Sequence, residues 1–321
     1  MDTNRALNRY QAKRAATRTA VSLVRFVFVC CVCYLFLFPL LYLLITSIQT
    51  PESLKDPSVV WIPRELTVDN FRRAAEMLDF GRSFGMTAVI SVFGTLATLI
   101  SCAMAGYALA RFEFFEKRIA FLLVLILIII PPQTTSMSVF LNFRFFDPLG
   151  LISLFEPLTE IDSLNLIGSP AAIILPAIFA SGIRSGLSIF IFRQFFLGQP
   201  KELEEAAKID GCGVFGTYTR IMLPLSSPAI ITVSVFSFVW YWNDSFYSAL
   251  FFTDDLKPLA AQIAVLRNTF LADAGNSLYS AQESKAILAA AGLLSIIAPL
   301  IVYLIIQKRF AESVERTGIV G

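Results

Sequence analysis

One arginine lies inside a long apolar run of this sequence. Arg184 stands within residues 171–194, which are otherwise largely apolar. A charged side chain at membrane depth is costly and ordinarily faces a bundle interior or a wet cavity. Its planar guanidinium suits carboxylate and phosphate groups, because it can donate two parallel hydrogen bonds. Two interpretations stay open: contact with an anionic ligand, such as a uronate-containing oligosaccharide or glycerol phosphate, or a structural ion pair.

Aromatic and amide side chains cluster near the end of a later apolar run. The candidates for a ligand path there are Trp240, Trp242, Asn243 and Tyr247. Trp and Tyr faces can stack on sugar rings while polar neighbours bond the hydroxyls. The same pattern is typical of an interfacial aromatic belt or of helix packing. The residues alone leave both interpretations open.

Residues suited to catalysis or metal binding are sparse. The chain has no His, and four of its five Cys lie inside apolar runs. A zinc site needs Cys, His or carboxylate ligands at set spacings, and no nucleophile–base set is evident. We interpret the cysteines as small buried apolar residues. We therefore predict no catalytic residue and no metal site.

A short polar segment, QPKELEEAAKIDGCG, interrupts the apolar sequence at residues 199–213. Pro200 suits the first position of a helix, and Gly211 suits the left-handed residue that closes one. A helix of about eleven residues is roughly 16 Å long, too short to cross a bilayer. One slim face of it suits a partner's groove and carries Leu203, Ala206 and Ala207. A solvated loop helix fits the same residues.

The elements that must position these side chains are long apolar segments. Of the 321 residues, 56% are hydrophobic and 16% charged, whereas soluble domains carry about 25% charged residues. Backbone groups in lipid must be bonded internally, so such segments are helices. We predict an all-α polytopic membrane protein with six transmembrane helices. The predicted spans are 22–48, 85–110, 119–140, 171–194, 227–249 and 286–307.

These spans divide the chain into three parts. Residues 1–21 form an N-terminal arm, predicted to be either a surface amphipathic helix or disordered. Residues 22–307 form the transmembrane domain, with the polar helix at about 200–211, and residues 308–321 form a tail. Pro131 and Pro132 are expected to bend the third span.

The distribution of Lys and Arg predicts the orientation. If the N-terminus is cytoplasmic, sixteen of the 26 Lys and Arg residues fall in inside segments and nine in the longer outside segments. Cytoplasmic loops carry an excess of these residues. Both termini and the polar segment at 199–213 are therefore predicted to be cytoplasmic.

The stretch EAAKIDGCGVFGTYTRIMLP, residues 205–224, resembles the EAA signature of ABC-importer permeases. That signature is Glu-Ala-Ala, three residues, Gly, nine residues, Ile, one residue and Leu-Pro. The matching positions are Glu205, Ala206, Ala207, Gly211, Ile221, Leu223 and Pro224. Other stretches resemble the carbohydrate-uptake branch: WIP and TVDNF before span two, GYALARFEF at its end, and WND at residues 242–244. The resemblance covers nearly the whole chain and is to the shorter permease subunit, related to the maltose-importer G subunit.

The resemblance implies a type I ABC-importer permease fold in the bacterial cytoplasmic membrane. It implies a non-catalytic transmembrane subunit of a binding-protein-dependent, ATP-driven carbohydrate importer. The implied partners are a second permease subunit, two cytoplasmic ATPase subunits, an extracytoplasmic solute-binding protein, a carbohydrate and the lipid bilayer, and no nucleic acid. The signature residues, with Asp210 among them, are implied to dock the ATPase.

The energy source implied by the resemblance is a separate chain. This sequence contains no Gly-Lys pair and so no P-loop to cradle ATP phosphates. ATP and Mg are therefore expected on the partner ATPase, with no cofactor in this chain. The segment after span three is longer than is usual in the family, and its acidic residues either contact the binding protein or are solvated: Asp147, Glu156, Glu160 and Asp162.

An ion-coupled secondary transporter is the alternative function. Proton relays need Asp, Glu or His within the spans. The predicted spans hold almost no carboxylate, and Asp244 lies near the end of one. This alternative also leaves the EAA-like signature unexplained.

Overall fold

A computed structural model describes residues 2–56, 63–150, 152, 163–253, 257–273 and 279–318 of the chain. Most of these residues are helical, so the predicted all-α class is confirmed. The helices are α1 Asp2–Ser47, α2 Pro51–Lys55, α3 Asp69–Met77, α4 Phe80–Arg111, α5 Lys117–Ile129, α6 Ser136–Arg144, α7 Ala171–Ile178, α8 Ser185–Leu197, α9 Glu202–Ile209, α10 Val214–Leu225, α11 Ser227–Trp242, α12 Phe246–Phe251, α13 Leu259–Asp273 and α14 Ala281–Gly318.

The described residues contain three helices that are long and apolar enough to cross a membrane by themselves: Thr17–Ser47, Phe80–Arg111 and Ala281–Lys308. Two bent pairs meet the same requirement when each pair is taken as one span. Lys117–Ile129 and Pro132–Arg144 meet at 102°, and Val214–Leu225 and Ser227–Trp242 meet at 76°. Proline has no backbone N–H to continue a helix, so the predicted bend at Pro131 and Pro132 is confirmed.

The segment predicted as the fourth span, residues 171–194, does not form one continuous helix in the structure. Residues 171–194 form α7 and the first part of α8, separated by a break at residues 179–184. Ala180 and Arg184 both have a φ of 55°, in the left-handed region that ends a helix. Backbone N–H groups of Ala180 and Ser181 bond back to the carbonyls of Ala177 and Pro176, which closes α7.

Two compact units make up the structure: Met1–Arg73 with Ala274–Leu293, and Ala74–Asp273 with Leu294–Gly321. In the first unit, the side-chain amide of Asn70 donates to the carbonyls of Ser47 and Gln49 at 2.9 and 2.8 Å. These bonds join the start of α3 to the end of α1. Because α1 runs unbroken from Asp2, the predicted arm belongs to the same helix as the first predicted span.

The interpretation of the cysteines as buried residues holds for one of them and fails for three. Cys102 is buried in α4, whereas Cys30, Cys31 and Cys33 are exposed on α1. The part of α1 that carries them, residues 17–41, is exposed in the structure. The acidic residues Glu156, Glu160 and Asp162 lie outside the described residues.

In the second unit, α4 packs against α7, α8 and α11. The crossing of α4 and α8 is close because Gly106 has no side chain. A Cβ atom there would lie 2.6 Å from the Cβ of Phe192 and 3.0 Å from the backbone nitrogen of Arg193. Buried side chains surround this crossing: Cys102, Ala103, Tyr107, Ile189, Phe192, Phe196, Tyr218 and Met222.

Replacing Gly106 with alanine is expected to destabilise the second unit by about 1–3 kcal/mol, the usual cost of overpacking a filled interior. The nearest atoms belong to backbone and to a Cβ, which cannot move away as the end of a flexible side chain can. Thermal unfolding of the detergent-purified chain measures the effect. Gly85→Ala is the matched control on the same helix, since a Cβ at Gly85 meets nothing within 4 Å. An equal loss of stability in both variants would contradict the prediction.

Candidate functional site

The polar segment predicted from the sequence folds as the short helix α9, Glu202–Ile209. Acidic residues occupy its first turn, where the helix dipole favours negative charge. Gly211 follows the helix with φ +79°, and its N–H bonds to the carbonyl of Lys208 at 3.1 Å. The next N–H, from Cys212, bonds to the carbonyl of Ala207 at 2.8 Å. These two bonds are a Schellman closure, so α9 ends sharply at the predicted glycine.

The two faces of α9 are not those predicted from the alanines. Ala207 is only 3% exposed and packs against its own chain, and Leu203 is half-buried. Glu205, Ala206 and Asp210 are exposed. The slim face predicted for a partner therefore turns partly inward, because helical periodicity does not tell which side of a short helix the chain itself covers.

Two exposed apolar side chains on and after α9 did not enter the sequence prediction. Ile209 is 85% exposed and Phe215, in the first turn of α10, is 71% exposed. Ile209 stands four residues after Glu205 and three after Ala206, so the three share one face of the helix. This spacing could have indicated from the sequence that Ile209 belongs to the same face as Glu205 and Ala206. The structure thus gives α9 an open surface that combines a carboxylate, a small residue and a large apolar residue.

The downstream residues of the EAA-like signature hold this region together rather than extend the open surface. Ile221 and Leu223 are half-buried and pack against the interior cluster around Phe196 and Met222. Pro224 is exposed. These residues belong to α10, whose middle is a π-helical turn at Tyr218–Met222.

A buried ion pair connects α9 to the last residue of α4. Nε of Arg111 lies 3.4 Å from Oε1 of Glu204, and their side chains are 4% and 14% exposed. The same guanidinium donates from Nη2 to the carbonyl of Gln199 at 2.7 Å. Tyr107, one turn earlier on α4, packs its ring against Phe196 and Tyr218 at 5.3 and 5.0 Å.

The loop after α4 presents charge and one large apolar side chain. Phe115 is 95% exposed, next to the basic start of α5. Lys117 donates to Glu113 at 2.9 Å, and this hydrogen bond holds the pKa of the Glu113 carboxyl below its usual value.

The second unit also contains a cavity of about 1010 Å³. Its lining comes from the bent pair α5 and α6, the break between α7 and α8, and the region where α11 passes into α12. Four of the five predicted ligand-path residues line it: Arg184, Trp240, Asn243 and Tyr247. The helix breaks explain this convergence, because irregular backbone at membrane depth is tolerated where it lines a cavity.

Arg184 occupies the break in the predicted fourth span, directly before α8. It is exposed, and its guanidinium carbon lies 5.3 Å from the ring centroid of Trp240. A cation held on an aromatic face keeps its edge donors free for another group. The structure thus replaces the predicted position inside a helix with an irregular turn that faces the cavity.

Trp242 is the predicted ligand-path residue that the structure places elsewhere. It is 1% exposed, and its indole N–H donates to the carbonyl of Ser295 on α14 at 2.9 Å. Its ring also packs edge-on against Phe84 at 5.3 Å. Trp242 therefore has a packing role, which is one of the two interpretations that the sequence left open for it.

Asp244 stands in the turn between α11 and α12. Its carboxylate accepts from the backbone N–H and hydroxyl of Ser248 at 2.8 and 3.1 Å, and from the N–H of Tyr247 at 3.3 Å. Asp244 therefore caps α12 and positions Tyr247 in the cavity wall. Sequence reasoning missed the polar residues of the opposite wall, Gln133 and Asn142, because they follow the bend at Pro131 and Pro132.

Within the ranges that the structure describes, no group of three or more His, Cys, Asp or Glu side chains could hold a metal ion. The arrangement shown by those residues is a set of apolar helices, a largely apolar cavity with a few polar side chains at helix breaks, and a short capped polar helix. Membrane permeases combine a cavity at helix breaks with apolar spanning helices in this way.

The comparisons with known proteins assign the chain to a family. Residues 97–316 match the family described as binding-protein-dependent transport system inner membrane component. The chain belongs to this family, and the predicted resemblance to ABC-importer permeases is confirmed.

Several relatives are similar over most of their length. The arabinooligosaccharides transport system permease protein of Halalkalibacterium halodurans is 30% identical over 294 residues, covering 90% of this chain and 93% of the relative. The polygalacturonan/rhamnogalacturonan transport system permease protein of Bacillus subtilis is 28% identical over 279 residues, covering 85% and 89%. These names place the similarity in the carbohydrate-uptake branch.

A solved structure has the same fold. It belongs to a bacterial ABC transporter involved in the import of the acidic polysaccharide alginate, with 22% identity and a TM-score of 0.63. The similarity covers 90% of this chain and 96% of that chain. At this identity it supports the permease fold alone.

Proposed function

We propose that this chain is the transmembrane subunit of a binding-protein-dependent, ATP-driven importer for carbohydrate, and that its substrate is an oligosaccharide with acidic groups. The observation that carries the acidic part is Arg184, which faces the cavity beside Trp240. A guanidinium can bind a uronate carboxylate through two hydrogen bonds, and Trp240 offers a face for a sugar ring. The relatives named for arabinooligosaccharides and for polygalacturonan/rhamnogalacturonan support carbohydrate as the class.

The second part of the proposal concerns energy coupling. The exposed face of α9, with Glu205, Ala206 and Ile209, docks in a cleft of a cytoplasmic ATPase. Two ATPase subunits, bound to ATP and Mg, close and carry α9 inward. The permease pair then switches the cavity from one side of the membrane to the other by rigid-body movement. The Lys and Arg distribution supports a cytoplasmic position for α9 and both termini.

The full assembly contains a second permease, which forms the other half of the path, and an extracytoplasmic binding protein that delivers the substrate. The ion-coupled alternative receives less support from the structure. Asp244, the carboxylate beside the cavity, is engaged in capping α12 and accepts three hydrogen bonds there. A relay needs a carboxylate that can exchange its proton along a path.

Binding-protein-dependent ATP hydrolysis tests the proposed substrate. The chain is assembled in proteoliposomes with the second permease, ATPase and binding protein encoded by neighbouring genes. Trigalacturonate is expected to stimulate hydrolysis more than maltotriose at equal concentration, because only the acidic sugar can pair with Arg184. Equal stimulation by the two sugars would contradict the acidic substrate. If neither the binding protein nor any carbohydrate stimulates ATP hydrolysis by the complex, the proposal that the chain belongs to an ATP-driven carbohydrate importer is contradicted.

A further inference from the structure

At least three connections hold the docking helix α9 to the rest of its unit. Two are covalent: the turn from α8 at Gly198 and the turn into α10 at Gly211 and Gly213. Both turns contain glycine, whose backbone is permissive and can act as a pivot. The third is the contact of Arg111 with Glu204 and with the carbonyl of Gln199. It joins α9 to α4, a helix that is not its neighbour in the sequence.

The geometry of this contact resists rotation of α9. Arg111 holds Gln199, before the helix, and Glu204, inside its first turn, so two points of the segment are fixed to one guanidinium. Within the described residues, Oε1 of Glu204 and Nε of Arg111 make no hydrogen bond, and the two opposite charges lie 3.4 Å apart. Tyr107 of α4 also hydrogen-bonds to the Glu204 side chain. Removing one member of such a pair leaves a buried charge uncompensated.

The helix reached by Arg111 leads to the cavity. On α4, Thr98 lies in hydrogen-bond contact with the hydroxyl of Tyr241 at 3.1 Å, and a Cβ at Gly94 would touch the same ring at 2.9 Å. The hydroxyl of Tyr241 also fills the space beside Gly182, inside the break that carries Arg184. A continuous set of packed groups thus runs from α9 along α4 to the cavity wall.

We propose that Arg111 and Glu204 form a strut that transmits the movement of α9 to α4, and so make nucleotide-driven switching of the cavity depend on this pair. The proposal rests on the proposed docking of α9 to an ATPase. Arg111 and Glu204 are positioning residues, since they act through α4 and touch neither ATP nor substrate. Rigid elements connected by bonded side chains carry coupling between distant sites.

Accessibility of the cavity tests the strut without any substrate. The natural cysteines are replaced by serine, and Ser245→Cys, exposed in the cavity wall, serves as the reporter. A membrane-impermeant maleimide is added to proteoliposomes of the full complex, with and without ATP and vanadate. Labelling in the parent complex is expected to rise with the nucleotide. In Arg111→Gln and Glu204→Gln the ratio of labelling with and without nucleotide is expected to fall to about one, because no population shift reaches the cavity.

Two further variants separate coupling from stability. Arg193→Gln is the matched control: it removes a guanidinium of α8 that lies 3.8 Å from the ring centroid of Phe121, a residue of α5. It should keep the nucleotide response. The exchange Arg111→Glu with Glu204→Arg should restore part of the response, since it restores the opposite charges.

The outcomes are distinct. If Arg111→Gln shows the same labelling ratio as the parent complex, the strut is overturned. It is also overturned if both single variants fail to assemble and the exchange does not restore assembly, because the pair would then have a purely structural role. A parent complex that does not retain an ATPase would contradict the proposed docking instead. Copurification of the ATPase therefore tells the two failures apart.

Discussion

Ile209→Arg is expected to release the ATPase from the complex. Ile209 is 85% exposed at the end of α9, on the same face as Glu205 and Ala206. A large apolar side chain that fills a partner's cleft contributes about 2 kcal/mol or more, roughly 30-fold in affinity. Arginine keeps the helix, because its helix propensity is high, but it brings a charge into the cleft. Copurification of the ATPase with a tagged chain measures the loss.

The control for this variant is Ile209→Leu, which keeps the volume and apolar character and should retain the ATPase. Circular dichroism and the elution volume of the detergent-purified chain check that Ile209→Arg is folded. Retention of the ATPase by Ile209→Arg at parental affinity would show that α9 does not dock through this face. The exposure of Glu205 would then be explained by α9 being a helix in contact with solvent, where charged side chains are ordinarily found.

The location of α9 could be predicted from local chemistry, but its orientation could not. Pro200, the acidic first turn and Gly211 are local signals, and the observed helix ends where Gly211 predicts. Which face the chain covers depends on the packing of α4, α8 and α10, which no local pattern contains. Ala207 consequently lies inward, at 3% exposure, although it belongs to the predicted docking face.

For the cavity too, single residues could be identified from the sequence, but the contacts between distant residues could not. Arg184 and Trp240 were identifiable because their types are unusual at their positions. Their approach to 5.3 Å depends on the break between α7 and α8. Ala180 and Arg184 adopt a positive φ there, and non-glycine residues give little sequence signal for this conformation. The sequence therefore showed no sign of the break inside the predicted span 171–194.

Trp242 illustrates how neighbours in sequence separate in structure. Trp240 and Trp242 are two residues apart, which places them about 200° around a helix. One therefore faces the cavity while the other bonds to the carbonyl of Ser295. The residue types identified the aromatic cluster in the sequence. Which tryptophan lines the cavity and which packs in the interior depends on how α11 is rotated about its axis.

Arg184→Gln is expected to raise the concentration of trigalacturonate needed for half-maximal stimulation by about 10- to 100-fold, since hydrogen bonds to charged groups contribute about 1.5–3 kcal/mol. Glutamine is no better or worse suited than arginine to the left-handed conformation at this position, so the break is expected to persist. Stimulation by a neutral oligosaccharide, where it occurs, should change little. The measurement is ATP hydrolysis by the reconstituted complex over a range of each sugar.

The matched control for Arg184 is Arg193→Gln, in the helix α8 that follows Arg184 but outside the cavity lining, where the guanidinium packs on Phe121. It removes an equal charge from α8, so a general effect of net charge would appear in both variants. A shift confined to Arg184→Gln and to the acidic sugar identifies a direct contact between the guanidinium and a carboxylate. An equal shift for acidic and neutral sugars would instead assign Arg184 to the architecture of the break, with its cation held on Trp240 as a packing contact.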